Sequence, residues 1–260
     1  MSPPVARLLL TVYRLAVDSG VLRRAWAQHL FLRVYGYYKR IFEARDAEQL
    51  APWVPAAGVV IDVGANVGFF ALKFARWLGA GGQLLALEPE PANLAHLREA
   101  LAAARPACEV DVIAAAAADH VGTAHLALNP YHPGDHKLAD AGLAVRLTTL
   151  DAEVARRALT RVDLIKIDVQ GAEALVLAGA RQTLARWRPA LYVEVDELNL
   201  RRYASSAADL LDDVQRHGYR MHRLDGEGLS APLTTAAACA WLATRGYADL
   251  LFLPTTTASP

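Results

Sequence analysis

The residues with the most evident chemistry lie in Asp62-Val63-Gly64-Ala65-Asn66-Val67-Gly68. An apolar run over 59–63, interrupted only by Asp62, reads as a buried parallel strand, and a helical pattern resumes at Phe69. A strand that breaks on glycine and feeds a helix N-terminus offers bare backbone N–H groups where a ligand can approach closely. Glu88 stands 20 residues past Gly68, at the end of a second apolar run over 83–87. That spacing suits a carboxylate gripping both hydroxyls of a ribose. The turn is G-A-N-V-G, without the middle glycine that a pyrophosphate requires. A dinucleotide is therefore disfavoured, and a nucleoside without phosphates, S-adenosylmethionine, fits better. The expected cofactor set is Asp62, Gly64, Ala65, Asn66 and Gly68 from the turn, Glu88 and Pro89 from the second strand end, and Asp119 for adenine. Asp62 also suits capping the turn, and Asp119 suits a turn before Gly122.

A sulfonium methyl is already electrophilic, so aligning acceptor oxygen, methyl carbon and sulfur accounts for most of the rate. A hydroxyl is a poor nucleophile near neutral pH, and a positioned base helps. Asp168 ends an apolar run over 163–168, on the carboxyl edge where ligands bind in open α/β sheets. His136, with Asp135 beside it in the polar loop 129–136, lies between the third and fourth principal strands and is the expected base. Asp168 then orients His136 or the substrate. The same Pro-Gly-Asp-His run is equally a good turn. Glu194 ends the next strand, and an Asp168–Glu194 pair could hold Mg²⁺; further oxygen ligands are not identifiable, so the main reading has no metal. Glu173 falls in the first turn of a helix, where it complements the macrodipole without catalysis.

Alternating strands and helices must position these groups. Helix is expected over 91–104, with Leu94, Leu97, Leu101 and Ala104 on one face and proline in its first turn. A strand follows within 109–114, then an added strand over 122–128 that pairs with 143–147, and a helix from about 150 capped by Thr148 or Thr149. Helix 172–184, strand 190–195, helix 204–217 and strands 219–224 and 250–253 complete the pattern. This order makes a doubly wound, mostly parallel seven-stranded sheet with an antiparallel terminal strand, the Rossmann-like architecture of class I methyltransferases. A helical segment over 1–50 precedes that domain, which occupies 51–260. Val5, Leu8, Leu9, Val12 and Leu15 fall at helical spacing, and 22–42 carries Trp26, Phe31, Tyr35, Tyr37 and Tyr38 among basic residues. Three readings of it stay open: helices packed across the domain, a face lying on a membrane, or a cover over the substrate cleft.

Composition narrows the partners. A net charge of zero with pI ≈ 7.1 leaves no electrostatic footprint for nucleic acid. Cys108 and Cys239 form no C-x-x-C pair and read as small core residues of a protein in a reducing, cytoplasmic setting. No apolar run reaches bilayer length, and no signal-peptide cleavage pattern follows the first apolar segment.

Over roughly 58–253 the sequence resembles the FkbM-type methyltransferase family. The resemblance is carried by 60–68, by Ala86-Leu87-Glu88-Pro89, by Gly134-Asp135-His136 and above all by Lys166-Ile167-Asp168-Val169-Gln170-Gly171-Ala172-Glu173. It implies O-methylation of a hydroxyl on a small molecule, a sugar or a polyketide-type natural product. One departure is 114–118, an alanine run less distinctive than the family's usual stretch, which leaves the adenine contacts open. Two rival classes use the same sheet: a nicotinamide-dependent oxidoreductase, against which the missing glycine counts, and a non-catalytic cofactor-binding or peripheral membrane protein.

Overall fold

The computed structural model describes residues 47–129, 136–225 and 228–255. In chain order its elements are β1 (Val59–Val63), α1 (Phe69–Trp77), β2 (Gln83–Leu87), α2 (Pro91–Ala104), β3 (Glu109–Ile113), β4 (Ala116–Ala117), β5 (Gly122–Ala127) and β6 (Lys137–Ala139). There follow β7 (Leu143–Thr148), α3 (Leu150–Arg156), β8 (Leu164–Ile167), α4 (Glu173–Ala178), α5 (Arg181–Trp187), β9 (Ala190–Asp196), α6 (Glu197–Leu200) and a 3₁₀ turn (Arg201–Tyr203). The chain closes with α7 (Ala207–Arg216), β10 (Tyr219–Asp225), β11 (Gly228–Leu229), α8 (Thr235–Arg245) and β12 (Tyr247–Pro254).

The main sheet runs β11-β10-β12-β9-β8-β1-β2-β3. Its centre, β3 to β9, is parallel, and β12 lies antiparallel between β9 and β10. The order reverses between β1 and β8, the crevice where open α/β sheets take ligands. This is the doubly wound, class I Rossmann-like fold, with one correction: among the described residues the strands of this sheet number eight, because Gly228–Leu229 folds back onto β10. A second sheet, β4-β7-β5-β6, grows from the end of β3, and β5 pairs with β7 as their patterns require.

Apolar β1 and β8 are buried along their whole length, as strands covered on both faces must be. Alternation sends Val59, Ile61 and Val63 into a core shared with α3, α4, α7 and α8, and Val60 into a second core with α1 and α2. Thr149 caps α3 through Ala152 N at 3.0 Å. The expected helix 172–184 is broken in two at Gly179. A Cβ there would stand 2.0 Å from the Ala118 carbonyl oxygen, and the Gly179 carbonyl accepts from Asp151 N. Helix α8 has no counterpart in the sequence-based expectation; its alanine-rich stretch lacks a clear stripe, and its signal is Thr234 capping Ala237 N at 3.2 Å. Among the described residues no helix is long and apolar enough to cross a membrane. Residues 1–46 of the N-terminal segment, with Tyr35, Tyr37 and Tyr38, and also Asp135, lie outside the described residues.

Candidate functional site

Strand register builds the centre of the site. On the α1 face, Asp62 of β1 is paired with Lys166 of β8, and Lys166 with Tyr192 of β9. Lys166 Nζ donates to the Gly64 carbonyl oxygen at 3.0 Å and stands 3.3 Å from Asp62 Oδ1 and 3.5 Å from Asp168 Oδ2. The Phe70 ring covers it at 5.1 Å. Asp62 has no exposed surface, and neither of its carboxylate oxygens has a hydrogen bond among the described residues. Burial pushes its pKa up, and Lys166 pulls against that. Lys166 is the site residue that the sequence patterns do not single out. Its signal was a lysine inside a buried apolar strand, which must meet a carboxylate.

Above this layer the glycine turn is tightly folded. Gly64 has φ 74°, and a Cβ there would lie 1.9 Å from the Asp168 carbonyl oxygen; Gly68 has φ 97° and Asn66 φ 50°. The expectation of bare N–H groups is corrected for the turn itself, 64–68, while the N-terminus of α1 that follows has no side-chain cap. Gly64 N and Ala65 N donate to the Leu87 carbonyl at 3.0 and 2.9 Å, and Asn66 N to Glu88 Oε2 at 2.8 Å. Val67 N donates to Asn66 Oδ1 at 2.7 Å and Gly68 N to the Ala65 carbonyl at 2.9 Å. The turn therefore offers close approach without donors for an anion, which suits a ligand lacking phosphates.

Glu88 is buried, and its Oε1 accepts a second backbone bond, from Glu90 N at 2.9 Å. Burial raises its pKa to about 7; the two N–H donors oppose the rise, and Glu90 adds to it. The Asn93 side chain adds a third donor, and the carboxylate keeps acceptor capacity for a ribose hydroxyl. Glu90 caps α2 through Asn93 N at 2.6 Å, with Pro91 at the first helical position and half-buried Pro89 preceding it. Asp119 is exposed and pairs with His120 Nδ1 at 2.8 Å, where β4 carries the chain into the second sheet. Left-handed glycines, a buried carboxylate 22 residues from the Asn66 amide it holds, and a donor-free turn together fit S-adenosylmethionine.

The carboxyl edge of β8 and β9 carries a polar network. Gln170 Nε2 donates to Asp168 Oδ1 at 3.1 Å and to Glu194 Oε2 at 2.9 Å, so an amide bridges the two carboxylates considered for Mg²⁺. Among the described residues no group of three or more His, Cys, Asp and Glu could hold a metal. Asn199 Nδ2 donates to Gln170 Oε1 at 3.3 Å and to Asp196 Oδ2 at 3.0 Å. Glu173 is buried, with Oε1 accepting from Val169 N at 3.2 Å and Gly171 N at 3.1 Å, and burial raises its pKa to about 7. Through Oε1 it ties the turn 169–171, beyond any effect on the helix dipole, and its Oε2 is buried without a hydrogen bond among the described residues. His136 Nδ1 accepts from Asn129 N at 3.1 Å, which leaves the neutral ring's proton on Nε2. The strand after it reaches the same edge: Leu138 O accepts from Tyr203 Oη at 3.2 Å, and the Tyr203 ring lies against Gly171.

Comparison with known proteins agrees with this geometry. Residues 62–221 match the model of the methyltransferase FkbM domain. The 2-O-methyltransferase NoeI of Sinorhizobium fredii (strain NBRC 101917 / NGR234) is 29% identical over 167 residues, covering 55% of this chain and 65% of that protein. The 31-O-demethyl-FK506 methyltransferase FkbM of Streptomyces tacrolimicus is 29% identical over 176 residues, covering 55% of this chain and 66% of that protein. The matched stretches thus span just under two-thirds of either relative. A solved methyltransferase FkbM from Methylobacillus flagellatus KT aligns with TM-score 0.44 and 17% identity, over 75% of this chain and 43% of that one; the fold assignment rests on the strand order above. The matched span opens on Asp62 and takes in the glycine turn, Glu88, Lys166 and Asp168, and with them the chain belongs to the FkbM methyltransferase family.

Proposed function

We propose that the chain transfers a methyl group from S-adenosylmethionine to a hydroxyl oxygen of a small molecule, such as a sugar or a polyketide-type natural product. The observation that carries this reading is Asp168, which directly follows β8 in contact with the glycine turn and is oriented from one side by Lys166 and from the other by Gln170. Bound S-adenosylmethionine supplies an electrophilic methyl group. Gly64, Ala65, Asn66 and Gly68 shape the wall against which it lies, Glu88 accepts the ribose hydroxyls, Pro89 follows, and Asp119 borders the adenine end. Asp62 acts from behind the turn, through Lys166. Asp168 Oδ2 accepts the proton of the acceptor hydroxyl, and His136, with Nε2–H, donates a hydrogen bond to the acceptor. A reducing, cytoplasmic setting belongs to this reading and is supported by two free thiols, Cys108 and Cys239.

S-adenosylhomocysteine is expected to bind the full chain by calorimetry and raise its Tm, with no shift from NAD. The reverse pattern would return the protein to the oxidoreductase class. With an acceptor in hand, Asp168→Asn should lower kcat by about 10²–10⁴-fold with S-adenosylhomocysteine affinity kept. If His136→Ala shows that loss and Asp168→Asn does not, the histidine is the base. Loss of turnover in chelator, restored by Mg²⁺, moves the chemistry to Asp168 and Glu194 as metal ligands.

A further inference from the structure

A groove of about 540 Å³ lies between strands β5 and β6 on one side and the 3₁₀ turn Arg201–Tyr203 on the other. Tyr203 joins its two walls through the hydrogen bond from its hydroxyl to the Leu138 carbonyl. The other side of that ring rests on Gly171, next in sequence to Gln170, whose amide holds Asp168. Tyr203, Gly171 and Gln170 thus link the groove to Asp168, the base of the proposed reaction. His136 immediately precedes Lys137, and its Nδ1 accepts from the backbone of Asn129, both of which line the groove.

The lining has a definite chemistry. Lys137 contributes from the hairpin and Arg202 from the opposing turn, while no carboxylate among the described residues lines the groove. The neighbouring Arg201 is engaged by Glu197 at 2.7 Å; Arg202 is the arginine of the turn that lines the groove. Asn129 and Tyr203 add polar contacts, and Leu128 and Leu138 an apolar surface; Leu128 is 49% exposed. Two cations on facing walls favour an anion between them through charge-assisted hydrogen bonds, with guanidinium suited to forked contact with phosphate or carboxylate. The volume falls in the range of small-molecule sites.

We infer that this groove is the methyl-acceptor site and that it selects a small hydroxylated molecule carrying a negatively charged group, with Lys137 and Arg202 gripping the anion. The inference rests on the methyl-transfer reading and adds the charge of the acceptor to it. The test uses the full chain loaded with S-adenosylhomocysteine and three probes of similar size: glucose 6-phosphate, glucuronate and glucose. At least one anionic probe should bind about tenfold or more tightly than glucose, and the preference should weaken as salt rises. Comparing the two anionic probes separates a phosphate-bearing acceptor from a carboxylate-bearing one. Arg202→Met, at an exposed position, should reduce the preference, and Arg202→Met with Lys137→Met should abolish it, with Tm and S-adenosylhomocysteine affinity unchanged. Equal binding of glucose, no binding of any probe to the loaded chain, or a preference that survives the double substitution overturns the inference while the methyl-transfer reading stands. Failure of S-adenosylhomocysteine to bind the unsubstituted chain removes both.

Discussion

A lysine inside a parallel strand carries a desolvation cost of several kcal/mol unless carboxylates surround it. Lys166 has two, Asp62 at 3.3 Å and Asp168 at 3.5 Å, and it also holds the Gly64 carbonyl. Lys166→Met should therefore leave Asp62 buried without its counter-charge, at a cost of about 3–5 kcal/mol in urea unfolding. The pair Asp62→Asn with Lys166→Met should lose less than Lys166→Met alone, because an amide carries no charge to strand. If the two losses are equal, Lys166 matters only as packing beneath Phe70. Asp62 and the two glycines were legible from spacing, and so was Glu88. What Lys166 touches was not, since it depends on a register that no local pattern encodes. For the same reason the backbone donors of the turn read as bare, although the Leu87 carbonyl on the next strand takes two of them.

The turn after β1 and the turn after β8 are two loops in van der Waals contact, and that contact sets the depth of the crevice. Gly64→Ala would place a methyl 1.9 Å from the Asp168 carbonyl while holding a left-handed backbone. Gly81 is also left-handed, at φ 88°, but a Cβ there meets nothing within 4 Å. Gly81→Ala should cost about 1–2 kcal/mol, the conformational penalty alone. Gly64→Ala should cost clearly more and should also weaken S-adenosylhomocysteine binding, because the β8 turn must move. Equal losses in denaturant unfolding would mean that the two turns are not in contact. The same kind of approach explains where sequence patterning stopped short. Long apolar strands and the Pro91-led helix announce themselves, whereas the break at Gly179 answers to the Ala118 carbonyl, 61 positions earlier in the chain. Helix α8 escaped for a different reason, being an alanine-rich stretch with only Ala238 and Leu242 fully buried.

Among the described residues, Glu88, Glu173 and Glu153 give folding a readable pH dependence, and buried Asp62 shifts in the same direction as the first two. Burial holds Glu88 and Glu173 at about 7 against an ordinary value of 4.5, so between those limits the folded chain keeps protons that the unfolded chain has released. Stability should then fall as pH rises from about 4.5 to 7, by up to about 3 kcal/mol for each group. Glu153 has the opposite sign. Burial pushes its carboxyl up, but Thr148, Arg156 and Arg157 together bring it down to about 2, so its contribution is present above about 4.5 and is lost as pH falls toward 2. Glu88→Gln should flatten part of the decline between pH 5 and 7.5 in urea melts. Cofactor binding is linked to the same proton. Ribose hydroxyls donate best to an ionised carboxylate, so a ligand that engages Glu88 lowers its pKa and expels the proton. At pH 6 the calorimetric heat of S-adenosylhomocysteine binding should therefore change with the ionisation enthalpy of the buffer, and affinity should rise toward pH 7 and then level off. In Glu88→Gln the buffer dependence should vanish. A binding heat that is the same in every buffer for the unsubstituted chain would mean the Glu88 proton is untouched, and the ribose would have to be held elsewhere.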